Sequence, residues 1–497
     1  MNWDQYLSEE RYQLNSGIDD PADRRTPFEV DCGRVLFSSA IRRMHDKTQV
    51  IPLTNGDSVL TRLTHSIHVM NIAESLMLDY TRSKNFIDQY PVAEKRSRLS
   101  SDLVAIVKTA AFVHDVGNPP FGHFGETIIQ DYFKKLKEKQ NNFCASLKDG
   151  NEIERKALDY TQFDGNAQGL RVLTRLQYVG SLSGLNLTYA SLAAYMKYPN
   201  PKEADKHYIG TKKHGVFWTE EGIFEEIVDK CKLRISDGKI KRHPLSFIVE
   251  AADSIAYLTM DIEDGYALKW FTFETLINGI NSILNTVNKG GENNNENSKN
   301  AQHQKNIIDI IKYKSEGFNK NVLSGAYKKA ATDFREAIIQ YLVNLAVSNF
   351  INNIDAIDSG EYSKELIEDD ENRVAEALAQ FSKKYIITRR EICSEEITGR
   401  NVIIGLLNQL SFYAFSQDRV YRDKFKSLIS RSRLELAIHE NFKHDKKCCF
   451  FDISDLYGFD IGEMGYYERW RIIVDFVSSM TDKYAVNLYQ KLSGNRL

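Results

Sequence analysis

The sequence predicts an all-α fold, on three observations. Only 9 prolines and 28 glycines punctuate 497 residues, which favours long helices over many short strands. Several stretches repeat apolar residues at i, i+3, i+4 and i+7, the spacing of one helix face. Text that reads as strand occurs in one place, around residues 49–62, where two short runs flank the turn dipeptide Asn55-Gly56 and suggest one short β-hairpin.

The helices follow in chain order. His65, Val69, Ile72 and Leu76 form one stripe, opening on a histidine. Leu103, Ile106, Val107, Ala110, Ala111 and His114 form a second, ending on a histidine, and Gly117 and Pro119 stop that helix. A third opens at Pro244, a good first-turn residue, and carries Ile248, Ala251, Ile255, Leu258 and Ile262. Further helical text runs over 332–350, 374–384, 402–414 and 469–492. Between these halves lies Asn288-Lys289-Gly290-Gly291-Glu292 and an Asn-rich stretch to Asn300, which can bury nothing and reads as a flexible insertion. The expected organisation is an N-terminal part (1–285), the insertion (286–302) and a C-terminal helical part (303–497).

Composition narrows the function classes. The chain is 42% hydrophobic and 27% charged, with 65 basic against 68 acidic residues, a net charge of −3. That balance gives no general pull toward nucleic acid or anionic membranes. No apolar run approaches the ~20 residues of a membrane span. The first residues, Met1 to Tyr6, carry no basic or apolar leader pattern. Six scattered cysteines form no C-x-x-C pair, as suits reduced thiols, and the expected address is cytoplasmic.

The densest polar text is the run from His114-Asp115 to Glu126, directly after the second stripe. Imidazole plus carboxylate at the end of a buried rod suits a divalent ion such as Mn, Mg, Fe or Zn. An isolated His-Asp pair is as readily a capped helix end. His65 upstream and Asp253 downstream strengthen the metal reading, because an aspartate inside an apolar helix is expensive to bury without a cation or donor. Two histidines and two aspartates leave positions open for water and substrate.

The order His65, His114-Asp115, Asp253 resembles the metal-binding signature of the HD phosphohydrolases. The longer strings resemble their dGTP triphosphohydrolase branch: Lys47-Thr48-Gln49-Val50, Arg62-Leu63-Thr64-His65-Ser66, the run from His114 to Glu126, Gly165-Asn166-Ala167-Gln168-Gly169, Met196-Lys197-Tyr198-Pro199, Glu250-Ala251-Ala252-Asp253 and Ser479-Met480-Thr481-Asp482-Lys483-Tyr484-Ala485. The resemblance implies one divalent metal held by His65, His114, Asp115 and Asp253, and hydrolysis of dGTP to deoxyguanosine and triphosphate. It implies His123 as general acid, oriented by Glu126. It places Arg62, Lys197 and Tyr198 at the phosphates and Gln49 at the guanine edge, where an amide can donate and accept together. Asn166 and Gln168 line the same pocket in this reading. Tyr257 and Asp261 follow Asp253 at i+4 and i+8, on one side of the helix. The resemblance puts Tyr257 under the deoxyribose and Asp261 at its 3′-hydroxyl. It also implies a homo-hexamer and single-stranded DNA as an effector. The rival readings are a broader dNTP triphosphohydrolase or another HD phosphohydrolase, and an HD scaffold that binds single-stranded DNA or senses dNTP.

Overall fold

The computed structural model describes residues 1–12, 23–47, 49, 61–139, 152–177, 184–235, 238–289, 324–441 and 458–495. Among them the architecture is all-α, as the breaker count and the stripes predict. Extended pairing among these residues is confined to isolated bridges such as Arg11 with Thr188 and Arg234 with Ile240. The expected hairpin at 49–62 falls almost wholly outside the described residues. Its last expected residue, Arg62, is instead the first of a helix. Thr61 caps that helix: its hydroxyl accepts from the N–H of Thr64 at 3.3 Å, while the Thr64 hydroxyl accepts from the N–H of Thr61 at 2.9 Å.

The helices that build the molecule are α1 (Pro27–Leu36), α2 (Arg62–Arg82), α3 (Ala93–Val113), α4 (Gly122–Lys139), α5 (Glu152–Thr161), α6 (Gly165–Arg171), α7 (Tyr189–Tyr195) and α8 (Pro244–Ala267). After these come α9 (Phe273–Lys289), α10 (Ser324–Asn352), α11 (Val374–Ser382), α12 (Arg390–Ala414), α13 (Arg431–Asn441), α14 (Tyr466–Ser478) and α15 (Asp482–Leu492). The Asn-rich text beyond Lys289 lies outside the described residues. The stretch 469–492, expected as continuous helix, is two helices. The break is at Ser479 to Thr481, where the Thr481 hydroxyl accepts from the N–H of Tyr484 and starts α15.

The apolar stripes fill two cores. The first takes Val69, Ile72 and Leu76 of α2, Leu103, Ile106 and Ala110 of α3, Ile248, Ile255 and Ile262 of α8, and Ile338 and Leu342 of α10. The second takes Ile129 and Phe133 of α4, Tyr160 of α5, Ala167 of α6, Ile403 and Leu406 of α12, and Trp470, Ile473 and Val477 of α14. Each core therefore draws on chain from both sides of the Asn-rich segment. No helix of the described residues is long and apolar enough to cross a membrane.

Candidate active site

Three helices of the first core deliver one cluster. The chain leaves α3 at His114, whose Nδ1 lies 2.6 Å from the carbonyl of Ala111. A donor there fixes the tautomer and leaves Nε2 facing inward. That Nε2 lies 3.5 Å from Asp115 Oδ2 and 3.4 Å from Asp253 Oδ1, and His65 Nε2 from α2 lies 3.0 Å from the same Asp253 oxygen. Ligand atoms of His65, His114 and Asp115 all fall within 4.8 Å of one another. Among the described residues, His114 Nε2 and His65 Nδ1 are buried without a hydrogen-bond partner. Burial pushes the His114 pKa down, but Asp115 and Asp253 outweigh it and hold it well above the usual imidazole range. Burial likewise raises Asp253, yet the two imidazoles hold its carboxyl well below the ordinary value. Two imidazoles and the Asp115 carboxylate grouped this closely, with Asp253 against both imidazoles and an orphaned nitrogen among them, fit a divalent cation of borderline or hard character. Arg62 Nη1 donates to Asp115 Oδ2, the oxygen that faces His114, at 2.5 Å, and Asn118 Nδ2 donates to Oδ1 at 2.6 Å.

The second core supplies the opposite wall. Gly117 lets the turn after His114 lie directly on α6: a Cβ there would come within 2.1 Å of the carbonyl of Gly165 and the N–H of Gly169. The chain then passes through two left-handed residues, Phe121 (φ 63°) and Gly122 (φ 58°), the second of them the first residue of α4. For phenylalanine this conformation costs about 1–3 kcal/mol, so its surroundings must impose it. His123 follows, one turn into the site. Its Nδ1 is 3.0 Å from Glu126 Oε2, while Glu126 Oε1 accepts from the N–H of Gly165 at 2.9 Å. The Glu126 carboxylate raises the His123 pKa, against burial, which lowers it. Burial raises Glu126, but His123 and Lys213 outweigh it and hold that carboxyl low. The carboxylate thus favours the protonated form of the imidazole, and Nε2 is the ring nitrogen not engaged by Glu126.

Between the walls is a cavity lined by His114, Asp115, Asp253, His123, Asn166, Lys197 and Tyr198, half of the fourteen residues singled out by sequence. Lys197 is 3.2 Å from Glu250, which also takes Arg242 at 2.6 Å. Burial pulls the Lys197 pKa down, but Glu250 keeps it raised and the lysine charged. Lys213 and Asn118, to which sequence reasoning gave no part, also line the cavity. Lys213 reaches it from a loop, paired with Asp164 at 2.6 Å and 3.8 Å from Glu126. Asn118 sits in the quoted run after Asp115, and its amide orienting that ligand was the missed role.

Other residues lie elsewhere. Gln168 points away from the cavity: Nε2 donates to Asp475 at 3.0 Å and Oε1 accepts from Arg471 at 2.6 Å. Arg62 is buried against Asp115 rather than lining the cavity. Tyr257 is half-buried against the first core, and Asp261 is buried further along the same side of α8. Burial, with Asp264 and Asp253 nearby, pushes the Asp261 carboxyl well above its usual range. Gln49 is half-buried, and its Oε1 has no hydrogen-bond partner among the described residues.

An all-α body with a His/His-Asp/Asp cluster opposite a histidine–glutamate pair defines a metal-binding HD-domain phosphohydrolase. Residues 62–165 match the HD domain and residues 459–491 the phosphohydrolase-associated domain. The chain is 32% identical to the deoxyguanosinetriphosphate triphosphohydrolase-like protein of Listeria monocytogenes, over 99% of this chain and 100% of that one. It is 31% identical to the deoxyguanosinetriphosphate triphosphohydrolase of Enterobacter sp. strain 638, over 94% of this chain and 93% of the relative. Against the enzyme of that name from Salmonella arizonae the figures are 28%, 99% and 97%. The chain belongs to the dGTP triphosphohydrolase family of HD phosphohydrolases.

Proposed function

We propose that the protein hydrolyses dGTP to deoxyguanosine and inorganic triphosphate. The observation that carries this reading is the cavity itself, with a cluster of histidine and aspartate side chains on one wall, a histidine paired with a glutamate on the other and two lysines between. A divalent cation at His65, His114, Asp115 and Asp253 would neutralise phosphate oxygens and make water a better nucleophile; Mn or Mg is the expected occupant, with Fe or Zn the alternatives. Water attacks the α-phosphorus, the bond from that phosphorus to the 5′-oxygen breaks, and triphosphate leaves with the water's oxygen. The 5′-alkoxide is a poor leaving group, so His123 Nε2–H gives it a proton as the bond breaks. Glu126 keeps that proton available by stabilising the imidazolium. Lys197 and Lys213 face the phosphate chain, Tyr198 packs beside them, and Arg62, bonded to Asp115, is a third cation. Asn166 lies on the same wall, and Gln49 is the residue for the guanine edge. The Asp261 carboxyl can accept from the 3′-hydroxyl. Tyr257, one turn after Asp253, fills the space a 2′-hydroxyl would need, a steric exclusion that requires no partner for the missing group. A homo-hexamer and a response to single-stranded DNA belong to the same reading, checked by sedimentation and by turnover with added oligonucleotide.

The test is a panel of four dNTPs and GTP with added Mn or Mg, run in ¹⁸O-water, with products separated by chromatography. Triphosphate carrying the label, and unlabelled deoxyguanosine, is the expected result. Pyrophosphate or orthophosphate as the released product, or label in the nucleoside, overturns it. Tyr257→Ala should let GTP compete with dGTP, and unchanged rejection of GTP would remove the gate.

A further inference from the structure

The left-handed pair before His123 has to be held by something, and the nearest holder is far away in the chain. The N–H of Phe121 donates to Asp482 Oδ1 at 2.9 Å, across 361 residues of sequence. Asp482 is buried, at 2% exposure, at the start of α15, where the Thr481 cap fixes its backbone. A second tie from the same region is Lys47, whose Nζ donates both to the carbonyl of Asn118 (2.5 Å) and to that of Ser478 (3.0 Å). The Phe121 ring lies against Gly399 of α12, where a Cβ would come within 2.7 Å of it. The turn from Asn118 to Gly122 is thus gripped at a carbonyl, an N–H and a ring by groups outside the HD segment.

The geometry points to Asp482 as a positioning residue: we propose that its carboxylate, by holding the Phe121 N–H, imposes the left-handed turn that aims His123 at the 5′-oxygen of the substrate. The inference rests on the reading of His123 as general acid. Phenylalanine at a positive φ relaxes readily to an extended conformation once nothing holds it. Relaxation at Phe121 rotates the first turn of α4 and carries His123 away from Glu126 and from the cavity. The cluster of His65, His114, Asp115 and Asp253 stands on helices of the other core and is left in place. The expected signature is therefore a loss in kcat without a loss in metal or in KM.

The experiment is a double-mutant cycle between Asp482 and His123 in the full-length, metal-loaded protein, with metal content, KM and kcat measured for every variant. Asp482→Ala should lower kcat about 10- to 100-fold with metal content and KM within twofold of the parent. Asp482→Asn, which keeps an oxygen to accept from Phe121, should recover most of that loss. In the His123→Ala background, Asp482→Ala should cost no further activity, because the group it positions is gone. Asp482→Glu keeps the charge and the helix start but misplaces the oxygen. It covers the case in which Asp482→Ala does not fold, and should show the same loss confined to kcat. Equal losses from Asp482→Ala in both backgrounds, a loss that follows metal content, or no loss at all would overturn the inference. Full activity of His123→Ala alone would instead overturn the reading of His123, and is scored separately.

Discussion

His65, His114, Asp115 and Asp253 sit on α2, α3 and α8 or at their ends, whose apolar faces fill the first core. His123 and Glu126 sit at the start of α4, whose apolar face fills the second. The first wall is assembled from the first turn of α2, the end of α3 and the middle of α8, and needs only that three helices pack together. The second hangs on a turn with two left-handed residues, fixed by Lys47, by Gly399 and, 361 residues away in the chain, by Asp482. In the proposed reading, binding a cation and delivering a proton are thus entrusted to two cores. Variants on the two walls should accordingly fail in different ways.

The largest effect is expected on the first wall. Asp253→Ala takes away a carboxylate within 3.4 Å of both imidazoles and leaves the remaining ligands unable to balance a divalent charge. Bound metal, read by elemental analysis, should fall below a tenth of the parent value and turnover should disappear. A chelator should reproduce this in the parent protein, and added Mn or Mg should reverse it. Metal retained at full stoichiometry in Asp253→Ala would take this residue out of the ligand set.

On the second wall, His123→Ala should leave the metal content untouched and lower kcat by about 10²- to 10⁴-fold, the usual worth of a positioned acid. Loss of metal together with activity would mean that the two walls are not independent. Glu126→Gln gives a smaller change with a definite sign. The acid works when protonated, so activity is present below the His123 pKa and is lost as pH rises through it. Glu126 raises that pKa. Its removal should therefore move the alkaline limb of the kcat profile to lower pH, leaving activity in acid less affected than activity in base. An alkaline limb that stays in place would separate it from His123.

The first wall was largely legible in the sequence because helical stripes announce themselves. The runs ending at His114 and starting at His65 are placed by periodicity, and Asp253 is marked by being a carboxylate inside an otherwise apolar helix. His123 was legible only through resemblance, since nothing local says where a residue after Gly-Asn-Pro-Pro-Phe-Gly will point. Lys213 was invisible: it lies in a loop, and it reaches the cavity because α6 brings Asp164 to meet it. The break at Ser479 to Thr481 was missed because apolar spacing continues across it while the Thr481 cap resets the helix. Its consequence, Asp482 meeting Phe121, is a contact between distant segments that no local pattern reports.

Gln168 offers the smallest expected effect and the finest separation. The string Gly165-Asn166-Ala167-Gln168-Gly169 suggests a pocket lining, but its glycines serve close packing. A Cβ at Gly165 would collide with Asn118 and Glu126, and one at Gly169 with the Tyr195 hydroxyl. In that register Asn166 faces the cavity and Gln168 faces the buried group of Asp475, Arg471 and Arg171. Both ends of its amide are taken by charged partners, each bond worth about 1.5–3 kcal/mol. Gln168→Ala should therefore lower thermal stability by a few degrees while KM and kcat for dGTP stay within about twofold. Asn166→Ala should show the reverse, a higher KM at unchanged stability. A rise in KM from Gln168→Ala, with stability intact, would place the glutamine in the pocket after all and make the second core a direct reader of substrate.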